Sequence, residues 1–462
     1  MTIEQDIGAA PSSLEAERAL LGAILIDASE TLPRILETRL SHADFFKEAH
    51  GEIFQAMIFL YDKGEVVDLV MVAEALKSRG SLEKAGGASY LADLADGVGV
   101  AANAARYAGI VIDRAILRRM ISISASISEE CQGSPKDVDE VLDRAEASIF
   151  RVRDDRGAQG LKRVPDLLSK AFERIESLSN RDEGLTGAPT GYADLDRLTG
   201  GFQRSDLIIL AARPSMGKTA FALNLALNVA VPRLRQAYKN LPAAAVAFFS
   251  LEMSTEQLLQ RLMCQVGKLN LGDMRTGRLR PEDTNRLTTA ISCLEEAEIF
   301  IDDTAFIRVL ELRAKARRLK SQLDSRDRGL GLIVVDYLQL MRGSDRRSDN
   351  REQEISEISR SLKALAKELN VPVLALSQLN RELEKRADKR PMLSDLRESG
   401  AIEQDADVIA FVHREEVFKK EDDTLRGKAE IIIGKHRNGP TGTVDLRFEG
   451  QYSCFSPVDA AY

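Results

Sequence analysis

The amino-acid sequence predicts a helical N-terminal domain followed by an α/β domain whose central sheet is mainly parallel. Apolar residues recur at helical spacing through the first 150 of the 462 residues. From residue 190 onward, short apolar runs alternate with helical patterns, as they do when buried parallel strands are joined by crossover helices. Residues 151–163 are polar and contain glycine, which is typical of a linker between two parts.

The composition is that of an ordinary globular protein. Hydrophobic residues make up 44% of the chain and charged residues 29%, with a formal net charge of −8. No apolar run reaches the roughly 18 residues that cross a bilayer, and the N-terminus lacks the basic and apolar segments of a secretory signal. The four cysteines are far apart, which argues against a zinc site and a disulfide framework. We therefore expect a cytoplasmic protein without membrane contact.

The charge is unevenly distributed along the chain. The first 150 residues contain 14 basic and 25 acidic residues, a net charge of −11. The remainder has 50 basic and 47 acidic residues, a net charge of +3. An acidic domain is a poor ligand for phosphate and a reasonable docking surface for proteins. The asymmetry suggests that the two parts have different partners.

Residues 1–150 show helical signals without any catalytic motif. Ser12 and Glu15 have the spacing of a capping box at the start of a first helix. Residues 48–62 and 103–128 carry apolar residues with a helical period. We interpret this part as a helical collar and interaction domain.

Residues 151–188 are predicted to contain a lone amphipathic helix between two loops. Pro165 suits the first turn of such a helix. An apolar stripe follows, formed by Leu168, Ala171, Phe172, Ile175 and Leu178. A helix between two linkers has to bury its stripe against another surface. That surface belongs either to the same chain or to a neighbouring subunit, and the sequence leaves both open.

Residues 189–462 follow the order strand, loop, helix. Seven apolar runs are typical of strands, at 206–212, 244–251, 297–302, 331–336, 371–377, 406–412 and 428–434. Asn438 and Gly439 then indicate a turn, and residues 443–449 continue as a further strand. The alternation predicts a buried, largely parallel sheet with helices on its faces.

A phosphate-binding loop follows the first of these strands. The residues there read A-x-x-x-x-G-K-T, with alanine in place of the usual first glycine. Backbone N–H groups of the loop and of the next helix, including those of Ser215, Gly217 and Ala220, are expected to face phosphate oxygens. Lys218 is expected to reach the β- and γ-phosphates, and the Thr219 hydroxyl is expected to bind Mg²⁺.

Three other strands end in polar residues that suit this site. Asp336 ends the run LIVVD and is placed to hold the metal directly or through water. Glu252 follows AVAFFSL and is either a base that deprotonates the attacking water or part of the N-terminus of the next helix. Gln378 follows VPVLALS and is either a γ-phosphate sensor or an ordinary polar residue at a strand end.

Two cations lie near the last turn of the chain. Lys435 and Arg437 alternate outward in KHRNGPTG, without a nearby acidic partner. Such cations can serve a phosphate that is bound by another subunit, as an arginine finger does. The sequence alone favours the simpler interpretation of solvated charges at a hairpin tip.

Two loops that follow sheet strands are basic, at residues 341–351 and 381–400. Ligands of open α/β folds bind beyond the carboxyl ends of the strands. Basic loops repeated around a ring would follow a phosphate backbone, without sequence readout because no aromatic residues are interleaved for base stacking. Solvated loop charges are an equally good interpretation.

Seven sequence motifs, taken in chain order, resemble those of bacterial DnaB-type replicative DNA helicases, and the resemblance covers nearly the whole chain. They are LGAILID at 21–27, GYADLDRLTGGFQRSDLIILAARPSMGKT at 191–219, FFSLEMS at 248–254, LIVVDYLQLM at 332–341, LALSQLNRELEKR at 374–386, SDLRESGAIEQDAD at 394–407 and KHRNGPTG at 435–442. The resemblance implies a RecA-like P-loop ATPase domain over residues 189–462. It also implies that the linker helix docks on the adjacent subunit.

The same resemblance implies a homohexameric ring that encircles single-stranded DNA and moves 5′ to 3′ along it with ATP and Mg²⁺. Primase, a helicase loader and a clamp-loader subunit are the implied protein partners. Two other interpretations stay open. One is a RecA-like ATPase of recombination or signalling, and the other is a nonmotor scaffold that recruits primase. The helical N-terminal domain and the separate linker helix favour the helicase.

The resemblance also implies roles for residues at matching positions. It makes Glu252 the catalytic base, Gln378 the γ-phosphate sensor and Asp336 the holder of metal-bound water. The implied nucleotide contacts are Lys218, Thr219 and Arg261 of the same subunit, together with Lys435 and Arg437 of a neighbouring one. The implied contacts with the DNA backbone are Arg397, Glu398 and Gly400, with Glu398 acting through its main chain or by positioning Arg397.

Overall fold

The structure, a computed structural model, describes most of the chain. The described residues are 10–96, 103–133, scattered positions between 138 and 173, 185–235, 237–326, 328–341, 351–396, 400–419 and 421–458. The chain divides into two compact units, Met1–Ser169 and Lys170–Tyr462. None of the described helices is long and apolar enough to cross a membrane.

The first unit is helical, as the sequence predicts. One apolar core holds it together, and the side chains that the helices share in this core include the fully buried Leu20, Ile24, Ile53 and Met57. The helices are α1 (Leu14–Ile26), α2 (Ala28–Glu37), α3 (Glu48–Asp62), α4 (Leu69–Ser78), α5 (Gly87–Asp96) and α6 (Ala104–Gln132). The apolar periodicity at 48–62 therefore coincides with α3.

The expected capping box at the start of the first helix is wrong. Helix α1 begins at Leu14, so its N-cap is Ser13, whose side chain accepts no capping hydrogen bond. A capping serine has to flank the first helical residue, and Ser12 lies one position too early for that. Burial stabilises α1 instead, because Leu20 and Leu21 are fully removed from solvent.

Only a few positions of the predicted linker helix are described. Leu168 and Phe172 are helical, and their side chains are 59% and 68% exposed. The other residues on which the linker prediction depends lie outside the described residues, namely Pro165, Ala171, Ile175 and Leu178. The surface that covers this stripe stays a prediction.

The second unit contains a nine-stranded sheet with the order β3-β2-β4-β5-β1-β6-β7-β8-β9. Its first six strands pair in parallel and its last three are antiparallel, which confirms the mainly parallel sheet. The strands are β1 (Leu207–Ala212), β2 (Ala245–Ser250), β3 (Ile299–Asp302), β4 (Leu330–Asp336), β5 (Val373–Gln378), β6 (Val408–His413), β7 (Lys428–His436), β8 (Gly442–Glu449) and β9 (Cys454–Pro457). The sequence patterns predict all of them except β9.

Helices cover both faces of this sheet, because alternate residues of β1 enter two different apolar cores. Ile208 and Leu210 join the core that includes the helix after the phosphate loop, whereas Leu207 and Ile209 join the core on the other face. The described helices of this unit are α7 (Ala193–Thr199), α8 (Lys218–Ala230), α9 (Thr255–Gly267), α10 (Leu271–Thr276), α11 (Pro281–Glu295), α12 (Val309–Asp324), α13 (Arg351–Leu369) and α14 (Gly400–Asp405).

The pairing register defines two edges of the sheet. At the carboxyl edge, where the parallel strands end, Ser250 pairs with Asp336 and Ala212 with Gln378. At the amino edge, where these strands begin, the antiparallel strand β7 ends, and His436 pairs with Val408. Residues that follow β1, β2, β4 and β5 therefore meet at one edge, and residues that follow β7 lie at the other.

Candidate active site

The phosphate loop lies at the carboxyl edge, between β1 and α8. Ser215 and Gly217 adopt left-handed backbone conformations, with φ of 68° and 94°. A Cβ atom on Gly217 would approach the Phe455 ring to 3.0 Å, so glycine is required there by both conformation and space. Ala212 is the last residue of β1, so the departure from the usual glycine falls within the strand and not within the turn.

Helix α8 begins at Lys218, directly after the turn, and runs for 13 residues. The first N–H groups of such a helix have no partner within the helix, and its dipole places partial positive charge at this end. The loop and the start of α8 therefore form an anion site of the kind that binds phosphate. Ser215, Gly217, Lys218, Thr219 and Ala220 all lie in this segment, as the sequence predicts.

A buried carboxylate of β4 lies beside the start of α8. Asp336 is fully buried, and its Oδ2 atom accepts a 2.7 Å hydrogen bond from the Thr219 hydroxyl. Its Oδ1 atom lies 3.8 Å from the Lys218 Nζ atom and has no hydrogen-bond donor among the described residues. Burial lowers the pKa of Lys218, although the charges of Asp336 and Glu252 partly offset this effect.

The oxygen groups of this site suit a hard cation that takes most of its ligands from phosphate and water. Among the residues that the structure describes, no group of three or more His, Cys, Asp and Glu side chains is arranged to hold a metal alone. One carboxylate and one hydroxyl, Asp336 and Thr219, are available at the phosphate loop. The unpartnered Oδ1 atom fits a cation whose other ligands are phosphate oxygens and water.

Glu252 lies two residues beyond the end of β2 and is exposed. Burial lowers the pKa of Lys218 and Arg261 and raises the pKa of Tyr337, and the Glu252 charge opposes the first two effects and adds to the third, so it faces the same site as Asp336. The alternative role of Glu252 at a helix N-terminus is filled by other residues. Ser254 caps α9 by accepting from the Gln257 N–H at 3.4 Å, and Asp303 accepts from the Thr255 N–H at 2.8 Å.

Arg261 and Gln378 complete the carboxyl edge. Arg261 lies on α9, where burial lowers its pKa against the opposing effect of Asp336 and Glu252. Gln378 ends β5 beside the last residue of β1, and its side chain is exposed. The Gln339 amide donates to the Ser377 hydroxyl at 2.9 Å and approaches the Gln378 carbonyl at 3.4 Å, which ties the end of β5 to the segment after β4.

Two arginines at this site have no signal in the sequence. Arg414 follows β6, donates to the Ser215 carbonyl at 3.1 Å and stacks on the Phe448 ring at 3.9 Å. Arg213 is buried within the loop and donates to the Leu379 carbonyl at 2.8 Å. Both contacts join segments that are far apart in the chain, so no local pattern reveals them.

Lys435 and Arg437 lie at the opposite, amino edge of the sheet. Lys435 donates to the carbonyls of Glu403 at 2.5 Å and Ala406 at 2.8 Å. The Arg437 Nη1 atom lies 3.6 Å from the Asp407 Oδ1 atom, and its side chain is 64% exposed. The expectation that neither cation has an acidic partner is therefore wrong for Arg437, because the antiparallel pairing of β6 and β7 brings Asp407 beside it.

The residues expected to contact DNA are described only in part. Gly400 is the first residue of α14, and a Cβ atom on it would meet no atom of the described residues within 4 Å. Arg397 and Glu398 lie outside the described residues, as do positions 342–350 of the first basic loop. In the second basic loop, Arg386 pairs with Asp395 and Arg390 with Glu430, so part of its positive charge is neutralised within the chain.

Two family profiles and several known proteins match this chain. The profile of the DnaB-like helicase C terminal domain matches residues 187–457, and that of the DnaB-like helicase N terminal domain matches residues 9–113. The chain is 50% identical over 452 residues to the replicative DNA helicase DnaB of Geobacillus stearothermophilus, which covers 98% of this chain and 96% of that protein. It is 48% identical to the replicative DNA helicase DnaC of Bacillus subtilis (strain 168), with the same coverage.

Solved structures are similar as well. The structure described as that of a DnaB-like replicative helicase and its interactions with primase matches with a TM-score of 0.74 at 34% identity. That match covers 97% of this chain and 100% of the other. A solved structure of an ATPase domain matches with a TM-score of 0.58 at 39% identity, and covers 65% of this chain and 100% of that domain.

Proposed function

This chain belongs to the family of DnaB-like replicative DNA helicases, and we propose that each of its ATP sites is built by two subunits of a homohexameric ring. It is an NTP-driven enzyme that unwinds DNA in replication. The observation that carries the proposal is the separation of Lys218, Thr219 and Asp336 at the carboxyl edge from Lys435 and Arg437 at the amino edge.

The first group binds and activates ATP within one subunit. The N–H groups from Ser215 to Ala220 hold the phosphate oxygens, and the Lys218 ammonium neutralises charge on the β- and γ-phosphates. Glu252 accepts a proton from the water that attacks the γ-phosphorus, and the bond to the ADP oxygen breaks opposite to it. Gln378, next to Ala212 in the sheet, is positioned to respond to the γ-phosphate.

Mg²⁺ is the cation that best fits the two oxygens at the phosphate loop. It takes octahedral oxygen coordination, keeps several waters and commonly binds through one or two protein groups plus the phosphates of the substrate. Thr219 and Asp336 would hold it, Thr219 through its hydroxyl and Asp336 through bound water. When bound, it supplies positive charge against the phosphate oxygens. Arg261, which shares the electrostatic influence of Asp336 and Glu252, adds further positive charge near the phosphates.

The second group acts on a neighbouring subunit. Strand β1 has six residues, and at a rise of about 3.3 Å per residue it separates the two edges by roughly 20 Å. Arg437 therefore lies too far from the phosphate loop of its own chain to contact the same nucleotide. In a ring, Lys435 and Arg437 meet the γ-phosphate of the next subunit, where an arginine stabilises charge in the transition state.

The ring encircles single-stranded DNA and moves 5′ to 3′ along it. Arg397, Glu398 and Gly400 contact the backbone, and the space left by the described residues at Gly400 permits close approach of a phosphate. The boundaries proposed from the sequence assign residues 1–150 to the collar, 151–188 to the linker and 189–462 to the motor. The acidic collar docks primase, in line with the primase interactions named for the similar solved structure. The helicase loader and the clamp-loader subunit are further protein partners of this ring.

Unwinding of forked DNA tests this function. Purified rings are mixed with duplexes that carry a 5′ arm, a 3′ arm or both, with ATP or an analogue that cannot be hydrolysed. We expect strand separation only when a 5′ arm and hydrolysable ATP are present. The Lys218→Ala variant should not unwind, whereas Lys239→Ala, which alters an exposed lysine, should unwind normally.

The alternatives predict other outcomes in the same experiment. A strand-exchange ATPase would require a homologous duplex instead of a fork. A nonmotor scaffold would recruit primase equally well with and without hydrolysis, and Lys218→Ala rings would then support primer synthesis at a fork. Unwinding from a 3′ arm, or by Lys218→Ala rings, would contradict the proposal directly.

A further inference from the structure

We propose that Asp407 is a positioning residue for the cation that acts in the neighbouring ATP site, because it holds Arg437 through both its side chain and its main chain. The proposal rests on the trans role of Arg437 that is proposed above. It assigns to Asp407 the task of keeping the guanidinium at the subunit boundary, ready to engage a γ-phosphate of the next subunit.

Asp407 contacts Arg437 twice. The Arg437 N–H donates to the Asp407 carbonyl at 2.8 Å, and its Nη1 atom lies 3.6 Å from the Asp407 Oδ1 atom. The Asp407 carboxylate is only 4% exposed, whereas the Arg437 side chain is 64% exposed. A fixed anion at the base of an exposed cation limits the directions that the cation can take, without withdrawing it from solvent.

Other contacts fix the Asp407 carboxylate itself. Its Oδ2 atom accepts a 2.8 Å hydrogen bond from the Leu207 N–H at the start of β1, and it accepts a short hydrogen bond from the Lys363 ammonium of α13. The carboxylate is thereby anchored to a central strand and to a helix of the motor core. A rigid anchor of this kind is needed if the residue it holds is to arrive at a neighbouring site in a defined geometry.

The second trans cation is held by the residues immediately before Asp407. Lys435 donates to carbonyls at the C-terminal end of α14, where helix carbonyls lack intrahelical partners and attract cations. Residues 403–407, which we call the cation seat, thus hold both Lys435 and Arg437. An isolated surface ion pair contributes little energy. Because the cation seat holds two cations, we interpret the contact between Asp407 and Arg437 as positioning and not as an isolated ion pair.

A purely structural role for Asp407 is the competing explanation, and Asp206 provides a matched control. Asp206 is also largely buried and lies 3.7 Å from the same Lys363 ammonium, but no contact joins it to Arg437 among the described residues. Asp206→Asn and Asp407→Asn each remove one carboxylate charge from Lys363. Only Asp407→Asn removes the carboxylate that faces Arg437, and asparagine keeps an oxygen for the Leu207 N–H.

The first measurement is steady-state ATP turnover of uniform rings. We expect Asp407→Asn to lower kcat by about ten-fold while KM for ATP stays within about two-fold, because a small displacement of a group that acts in the transition state costs on the order of ten- to a hundred-fold in rate. Asp206→Asn should retain kcat within about two-fold. Asp407→Glu, which restores the charge, should recover a substantial part of the lost turnover. Unchanged turnover in Asp407→Asn would overturn the proposal, as would an equal loss in Asp206→Asn.

The second measurement uses hybrid rings with Lys218→Ala subunits, which cannot bind nucleotide productively but carry an intact Arg437. If Asp407 acts through Arg437 in trans, Asp407→Asn subunits should regain turnover at sites that Lys218→Ala neighbours complete. No recovery in verified hybrids would mean that Asp407 supports its own site, and the proposal would fail. The same mixing with Arg437→Ala subunits tests the trans role separately, since failure there would contradict the proposed function and not only this inference.

Folding is monitored in parallel. Ring assembly by gel filtration and the thermal midpoint are compared for Asp407→Asn, Asp407→Glu and Asp206→Asn. If neither Asp407 variant assembles while Asp206→Asn does, Asp407 is a folding residue and the proposal is wrong. Assembled rings with the kcat loss and the hybrid recovery described above would support it.

Discussion

The two edges of the central sheet hold their cations in opposite ways. At the carboxyl edge, Lys218 is 13% exposed and lies beside Asp336, whose Oδ1 atom lacks a hydrogen-bond donor among the described residues. At the amino edge, Arg437 is 64% exposed and already pairs with Asp407. The first edge therefore presents a buried acceptor atom beside a lysine, whereas the cation of the second edge is exposed and paired within its own chain. A ring requires this difference in exposure if the carboxyl edge of one subunit binds the nucleotide and the amino edge of a neighbouring subunit contacts it.

The buried Asp336 carboxylate at the carboxyl edge carries an energetic cost. Leaving a buried polar atom without a partner costs about 1–3 kcal/mol, and burial also disfavours the charged form of Lys218. A ligand that brings a cation to the Asp336 Oδ1 atom and phosphate oxygens to Lys218 offsets this cost. Nucleotide with Mg²⁺ should therefore stabilise the carboxyl edge by mass action, while the amino edge gains nothing until a neighbouring subunit binds.

The largest effect on ATP turnover is expected when a residue of the amino edge alone is altered. Arg437→Ala should lower ATP turnover of uniform rings by about 10³-fold or more, because an arginine finger contributes on that scale. Nucleotide affinity should change little, since the residue acts on the site of a neighbour. Turnover is measured by phosphate release, and affinity by titration of a fluorescent ATP analogue.

Arg447→Ala is the control for this comparison. Arg447 is an exposed arginine on β8, one strand away from β7, and its removal should leave turnover unchanged. A loss of nucleotide affinity in Arg437→Ala that matches its loss of turnover would mean that the two edges do not divide the work as described.

A smaller effect is expected when the carboxyl edge is altered at its buried anion. Asp336→Asn should lower turnover by about 10²- to 10³-fold, the scale of one lost electrostatic contact in a preorganised site. It should also abolish the extra thermal stabilisation that Mg²⁺ adds to ATP, because the group proposed to hold the cation is gone. Differential scanning fluorimetry with ATP, with and without Mg²⁺, measures this difference.

Asp302→Asn tests whether the location of the carboxylate matters. Asp302 ends β3 at the same edge but pairs with Lys315, away from the phosphate loop. Its variant should keep the Mg²⁺-dependent stabilisation. If Asp336→Asn kept it as well, the cation would have to be held by other groups.

The two edges also differ in how far the sequence could predict them. The phosphate loop is a local strand-turn-helix pattern, so Ser215 to Ala220 could be identified from consecutive positions, and Asp336 from the end of one apolar run. The seven apolar runs likewise predicted seven strands, most of them buried on both faces of the sheet. Strand β9 is only four residues long and gave no such signal.

The amino edge depends on contacts between distant segments, which local patterns do not carry. Asp407 and Arg437 meet only because β6 and β7 pair in a particular antiparallel register. The sequence pattern therefore showed Lys435 and Arg437 without a nearby acidic partner, whereas the fold brings Asp407 to Arg437 and backbone carbonyls to Lys435. Arg414 could not be identified for the same reason, because its contact joins the residue after β6 to Ser215 of the phosphate loop, which is 199 residues away in the chain.

The smallest expected effect concerns the balance of charges at the amino edge. Asp206 and Asp407 share the Lys363 ammonium, and burial together with the Asp407 charge raises the pKa of Asp206 to about 6. A carboxyl whose pKa is higher in the folded than in the unfolded chain binds its proton more tightly when folded. Its contribution to stability is therefore fully present below about pH 4 and is lost as the pH rises through about 6.

Asp206→Asn removes this pH-dependent contribution, so the variant should gain stability relative to the unaltered protein as the pH rises from about 4.5 to about 7. We expect a relative gain of roughly 1 kcal/mol, since solvent reaches part of the carboxyl and screens it. Urea unfolding of nucleotide-free protein at both pH values measures the difference. Asp445→Asn, at an exposed position of β8, should show no such change between the two pH values. If Asp206→Asn behaved like Asp445→Asn, the charges of Asp206 and Asp407 would not destabilise the folded protein. The Lys363 ammonium would then neutralise the repulsion between the two carboxylates fully.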